Sequence, residues 1–303
     1  MMDTAIHTAL VGVGAFTASV LVLLTAIRIA PELGMIARPD PTVPNHVRNI
    51  PLLGGLGALA GAAVGACMVD WSGIAIASVL AALLVSIALG GYKDRIGVSV
   101  SSWLQLALQS CAVALVLHGI GVPPLLGIPL LDAAAWVLLG LWLVNSVNFL
   151  DVMDGLAAGT CTIALIGATI ILWYDPVGRP MSTAIAFGLA GFLVFNRHPA
   201  KMFMGDIGSF GSGMMLFAIC LLVSSRASAV CAVLLIGVPL LEVITCAALR
   251  LHRGISPLRG DGTHPSLEFL RRGIPVPKIV ASYWIAEAAF ATASVLLARA
   301  TTS

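Results

Sequence analysis

Asn145, Asn148, Asp151 and Asp154 recur every three residues in Asn145-Ser-Val-Asn148-Phe-Leu-Asp151-Val-Met-Asp154, which Gly155 closes. On a helix or tight helical turn this spacing puts them on roughly one face. Two carboxylates and two carboxamides offer hard oxygen ligands and hydrogen-bonding groups, which suits a divalent metal such as Mg2+ together with a phosphorylated ligand. A plain helix end also carries solvated Asn and Asp caps, but four such residues in register at the exit of an apolar run point to a site.

Other polar clusters have the same flavour. In Met202-Phe-Met-Gly205-Asp206-Ile-Gly208-Ser209, one carboxylate stands among glycines just before an apolar run, with Ser209 as its expected helix cap. A helix N-terminus there would give its amides to a diphosphate, while Asp206 takes the cation. Tyr92-Lys93-Asp94-Arg95 sets an acid between two bases, a pattern shared with ordinary snorkelling boundary residues. After the break at Ser256-Pro257, Asp261 and His264 stand three residues apart near Arg253, Arg259, Arg271 and Arg272. Guanidinium groups pair bidentately with phosphate, so this loop suits a nucleotide diphosphate or anionic lipid headgroups. His46 and Arg48 precede Ile50-Pro51-Leu-Leu-Gly54-Gly55. Gly57, Gly61 and Gly65 read as a close-packing helix face, whereas Gly54 and Gly55 at its mouth would leave backbone amides open to a ligand.

The elements that position these groups are apolar. Of 303 residues, 59% are hydrophobic and only 10% charged, with a mean hydropathy of +1.03, against about a quarter charged in soluble domains. The expected fold is all-α, one integral membrane domain over residues 1–303 formed by about ten transmembrane helices. The spans are 5–27, 52–69, 73–91, 102–120, 131–149, 156–174, 182–196, 211–225, 228–249 and 279–298. The first has no Lys or Arg ahead of it and reads as a retained span rather than a signal peptide. Of the 16 lysines and arginines, only Arg179, Arg226 and Arg299 fall outside the loops that follow odd-numbered spans. The positive-inside rule therefore puts the loops at about 30–51, 92–101, 149–155, 197–210 and 250–278 in the cytoplasm, and every polar cluster above with them. The six cysteines lie in apolar runs without a CxxC pair and read as small core residues. A net charge of +2 carries no signal for nucleic acid, and no such partner is expected.

Together, Asn145 to Ala157, Phe203 to Ser209, Ile50 to Gly55 behind His46, and Ser256-Pro257 with Asp261-x-x-His264 resemble the polyprenyl-phosphate N-acetylhexosamine-1-phosphate transferases. The resemblance covers about residues 30 to 275 and is most specific at 145–155 and 203–209. It implies transfer of a sugar 1-phosphate from a UDP-sugar to undecaprenyl phosphate, releasing UMP and requiring Mg2+, or Mn2+ in its place. The implied setting is the bacterial inner membrane, with a cytoplasmic active site that starts a cell-envelope glycan such as O-antigen.

Position by position, the resemblance makes Asp206 the metal ligand, and Asp151 and Asp154 the walls of the metal-diphosphate site. Asn145 and Asn148 become partners of the nucleotide sugar or of the acids. His264, Asp261 and Arg259, with His46, Arg48 and Gly205, fall to substrate binding. Asp94 matches the second acid of the family's Asp-Asp pair, and Lys93 replaces the first. Ser266 stands where the family often has a second histidine, and the usual basic residue ahead of His46 is missing, with Arg48 close by. A lipid phosphate monoester is largely dianionic above its second pKa of about 6 and needs no base, so Lys93 suits a phosphate contact.

Two other readings stay open at this level: a degenerate member acting as a partner subunit, and a transporter or lipid-binding protein. A transporter would carry polar groups near the midplane, where only Glu242 and Glu287 fall. The sugar, the pathway and a homodimer are likewise open.

Overall fold

The computed structural model describes residues 2–39, 49–70, 72–96, 100–256 and 262–302. Among the described residues it is a helical bundle with one pair of two-residue strands. The helices are α1 (Met2–Ile29), α2 (Gly55–Ala66), α3 (Gly73–Ile96), α4 (Ser102–Ile120), α5 (Pro129–Leu150), α6 (Leu156–Ile171), α7 (Gly178–Asn196), α8 (Gly205–Arg226), α9 (Ala229–Leu234), α10 (Gly237–His252), α11 (Pro265–Arg271) and α12 (Val276–Thr302). Nine of the ten expected spans each centre on one helix, α1 to α8 and α12. Among the described residues seven helices, α1, α3, α4, α5, α7, α8 and α12, are long and apolar enough to cross a membrane, and the apolar α2 and α6 are shorter. Leu10, Leu84, Trp103, Leu130 and Ile285 point outward from these helices, as a multi-pass membrane protein requires.

The ninth span is two helices, because the chain breaks at Leu235-Ile236 and restarts ahead of Pro239. An amide freed at such a break needs a partner inside an apolar bundle. Glu287 supplies it, its Oε2 accepting from the Val238 amide at 3.0 Å. One of the two midplane acids thus has a structural use.

Helix α8 is the centre of the bundle, with 94% of its most apolar stretch buried. It packs against α2, α3, α5, α6 and α9, and its small residues let backbones approach. Gly213 lies against the Val144 backbone and Gly208 against Gly55. Gly57, Gly61 and Gly65 form the packing face expected of α2, against α1 and α7.

Before α2, β1 (Ile36–Ala37) and β2 (Ile50–Pro51) pair antiparallel. The chain then runs beside the segment leading into α8: Phe203 N donates to Pro51 O at 2.8 Å, Gly54 N to Phe203 O at 2.9 Å and Gly55 N to Met204 O at 3.0 Å. The Gly54 and Gly55 amides are therefore engaged by carbonyls. A Cβ on Gly54 would overlap Phe192 and Phe203, and one on Gly55 would overlap Gly208. These two glycines serve close backbone packing and leave no amide open to a ligand, contrary to the expectation from sequence.

Candidate active site

The C-terminal ends of α3, α5, α7 and α10 and the N-terminal ends of α8 and α12 meet around a cavity of about 500 Å³. Its polar lining includes Asp94, Asn148, Asp151, Asp154, Asp206 and His264, all singled out from sequence, together with Asn196, His198 and Arg250. The stretches expected on one side of the membrane thus share one end of the bundle.

The start of α8 organises the acids. Helix α8 begins at Gly205, six residues before the expected span, so Asp206 lies in its first turn and Ser209 within it. Ser209 is not the cap. Its hydroxyl accepts from Asn148 Nδ2 at 2.9 Å. The capping group comes from α3: Asp94 accepts from the amides of Asp206 at 2.9 Å and Ile207 at 3.0 Å. The orphan amides of Asp206 and Ile207 in the first turn of α8 are therefore taken by the Asp94 carboxyl. This corrects the expectation that these amides would take a diphosphate.

Gly205 makes the approach feasible. Its φ of +72° suits glycine, and a Cβ there would lie 2.5 Å from Leu52 O and 2.7 Å from Asp94 Oδ2. Gly90 on α3 does the same from the other side, since a Cβ on it would meet the Asp206 backbone at 2.4 Å.

Asp206 is held at both oxygens. Asn148 Nδ2 donates to Oδ1 at 2.7 Å, and Lys93 Nζ lies 2.7 Å from Oδ2. The ammonium also donates to Gln105 Oε1 at 3.1 Å and stands 4.7 Å from the centre of the Phe210 ring. Gln105 Nε2 in turn donates to Asn145 Oδ1 at 3.1 Å, and Asn145 Nδ2 donates to Gln109 Oε1 at 2.8 Å. Lys93 and Asn145 therefore lie in a polar relay behind Asp206, outside the cavity lining. Gln105 and Gln109 were passed over in the sequence, although two amides one helical turn apart in an apolar span are a readable signal.

The expected stripe divides where α5 ends at Leu150. Asp151 is half-buried at the cavity. Burial, and then the charges of Asp206, Asp94 and Asp154, hold its carboxyl well above the usual range. Asp154 turns to the loop after α7, where Oδ2 accepts from the Ala200 amide at 3.0 Å and meets His198 Nδ1 at 2.8 Å. Gly155, at φ +79°, donates its amide to Asn196 Oδ1 at 2.8 Å. This bond ties the start of α6 to the end of α7.

His264 is buried on the opposite wall, edge-on to Phe149, and the buried Arg250 stands 5.1 Å from the same ring. Ser266, in the position of a second family histidine, is fully buried at the start of α11. His46, Arg48, Arg259 and Asp261 lie outside the described residues.

Mg2+ prefers oxygen ligands and keeps some of its waters. The residues present fit it by type, because Asp94, Asp151 and Asp206 offer carboxylate oxygens to one cavity.

Residues 76–224 match the glycosyl transferase family 4 model. The chain is 30% identical over 294 residues to a probable undecaprenyl-phosphate N-acetylglucosaminyl 1-phosphate transferase of Bacillus subtilis, covering 90% of this chain and 80% of that protein. It is 51% identical over 81 residues to the phospho-N-acetylmuramoyl-pentapeptide-transferase of Oceanobacillus iheyensis, with 26% of this chain and 25% of the relative covered. With that of Trichormus variabilis it shares 32% over 217 residues, 64% of this chain and 59% of the relative. The chain thus spans only a quarter to three fifths of these two pentapeptide-transferases, while it aligns with most of the Bacillus subtilis relative. An acid cluster gathered at one end of a multi-pass bundle and a match along nine tenths of its length place this chain in glycosyl transferase family 4, among the polyprenyl-phosphate hexosamine-1-phosphate transferases.

Proposed function

We propose that the protein transfers N-acetylhexosamine 1-phosphate from a UDP-sugar to undecaprenyl phosphate, releasing UMP, at a cytoplasmic site in the bacterial inner membrane. The observation that carries this reading is the cavity at the start of α8 that Asp94, Asp151 and Asp206 line together with Arg250 and His264. The relative matched along most of its length acts, by its name, with N-acetylglucosaminyl 1-phosphate, and this favours a hexosamine over a muramoyl-pentapeptide substrate. The product would start a cell-envelope glycan, of which O-antigen is one.

In this reading the lipid phosphate dianion attacks the sugar-bearing phosphorus of the UDP-sugar, the diphosphate bond breaks, and UMP leaves with the electron pair. No side chain need take a proton from the nucleophile. Asp151, Asp206 and Asp94 would hold Mg2+, which when bound neutralises diphosphate charge. Arg250 lies where a guanidinium can face phosphate oxygens. Asn148 keeps Asp206 oriented. The test is purified protein with labelled UDP-N-acetylglucosamine: labelled lipid and UMP should form together, and only with undecaprenyl phosphate and Mg2+. UMP formed without the lipid, or labelled lipid formed equally well in chelator, would refute the reading.

Three consequences can be checked. Cysteines introduced singly near positions 93, 151, 206 and 264 should all label from the cytoplasmic side, and external labelling of any one excludes a common cytoplasmic site. Lys93 positions Asp206 rather than gripping the lipid, so Lys93→Met should lower kcat about tenfold and alter the Mg2+ requirement with KM for undecaprenyl phosphate unchanged. A raised KM for the lipid alone would restore a phosphate contact. The third consequence concerns pH. Burial and neighbouring acids raise Asp151, so it keeps its proton to higher pH than a free carboxyl, and a cation must displace that proton. Half-saturating Mg2+ should therefore fall as pH rises, by at most about tenfold per pH unit for one proton. A pH-independent Mg2+ requirement would remove Asp151 from the cation site.

A further inference from the structure

Glu242, Cys246 and His264 form a second cluster, set apart from the acids at the start of α8. Glu242 and Cys246 are one turn apart on α10, and His264 enters from the residue before α11. All three are buried. Their facing atoms make a nearly equilateral triangle: Cys246 Sγ to Glu242 Oε1 is 3.6 Å, Cys246 Sγ to His264 Nδ1 is 3.6 Å, and His264 Nδ1 to Glu242 Oε1 is 3.6 Å.

The thiol lies within sulfur hydrogen-bond range of both neighbours, so the informative separation is that between His264 and Glu242. A nitrogen and an oxygen sharing a proton approach to about 2.7–3.2 Å, and the His264–Glu242 separation is longer. Tetrahedral Zn2+, with bonds of about 2.3 Å to sulfur, 2.0–2.1 Å to nitrogen and 2.0–2.2 Å to oxygen, sets its ligands roughly 3.3–3.6 Å apart. The centre of the observed triangle is about 2.1 Å from each atom, which is a metal-ligand distance.

The geometry points to a binding site for a borderline-soft divalent cation of the zinc class at Glu242, Cys246 and His264. Thiolate and imidazole select such a cation over Mg2+. As the Sγ–metal bond forms, the thiol proton passes to the buffer. The thiolate and the carboxylate then balance the two charges of the ion, as a buried site requires. The Tyr283 hydroxyl donates to the other Glu242 oxygen, Oε2, at 3.1 Å and would orient that ligand. The ion would bridge α10 to the start of α11 and fix His264, which lines the cavity, leaving its fourth position for water or a ligand.

The test needs no turnover, so it stands or falls separately from the proposed reaction. Chelator-stripped protein in detergent is titrated with Zn2+ by calorimetry, and with Co2+ as an optical stand-in. One equivalent of Zn2+ should bind, and Co2+ should give a thiolate-to-metal charge-transfer band in the near ultraviolet. Cys246→Ser should abolish the band and weaken Zn2+ roughly a hundredfold. Glu242→Gln should weaken Zn2+ while keeping the band, which covers the case in which the serine variant fails to fold. Asp206→Asn should change neither measurement. No stoichiometric Zn2+ in the parent protein, an affinity unchanged in Cys246→Ser, or Zn2+ lost with Asp206→Asn each overturns the proposal, the last by placing the ion among the acids of α8.

Discussion

Asp206→Asn is expected to lower turnover at least roughly a hundredfold while leaving the protein folded. The substitution is nearly isosteric and keeps one oxygen for the bond from Asn148 Nδ2, but it removes the charge that the cation site requires. It also leaves the Lys93 ammonium without its counter-charge at Oδ2. Both side chains are about a fifth to a quarter exposed, so the cost to the fold is on the order of 1 kcal/mol rather than the larger penalty of a fully buried pair. The cap on α8 survives because it is the Asp94 carboxylate and two backbone amides, not the Asp206 side chain. Steady-state kinetics at saturating Mg2+ with a melt in detergent separates the two effects. A rate above about a tenth of the parent is a loss of less than 1.4 kcal/mol, too small for a metal-bearing acid.

The same residues show what the sequence could and could not reveal. The helices were legible because a bilayer demands long apolar runs, and polar residues at the run ends mark the boundary. The convergence of the odd-numbered loops followed from alternation alone. The partners of each polar group did not follow. Asp94 reads in sequence as an acid between two bases, yet its carboxylate serves amides on a helix over a hundred residues away. An amide has no sequence signature for which anion it holds, so the start of α8 suggested a diphosphate where the structure has Asp94. The break between α9 and α10 was hidden because the apolar run continues through it, and only Pro239 hinted at it. Cys246 looked like core filling because it sits in an apolar run; Glu242 lies one helical turn before it, but the third member, His264, is 18 residues on and its approach could not be read from spacing.

The second large effect concerns Gly55, whose use was also misread. Gly55→Ala places a methyl group where Gly208 Cα would be 2.0 Å away and Gly208 N 2.5 Å away. Both neighbours are backbone of the central helix and cannot rotate aside, so α2 and α8 must separate. That separation stretches the bonds from Gly54 N to Phe203 O and from Gly55 N to Met204 O, which fix the two residues before Gly205. The expected result is destabilisation of about 3 kcal/mol or more, read as a lowered melting temperature in detergent, together with loss of turnover. Gly211→Ala on the same face of α8 is the control, because its Cβ would meet only Leu59 Cδ2 at 3.7 Å, an ordinary contact. Replacing a mid-helix glycine by alanine there should be neutral or stabilising by up to about 1 kcal/mol. If Gly55→Ala melts with the parent, α2 does not pack on α8 by this backbone contact, and the support assigned to the Asp206 turn fails with it.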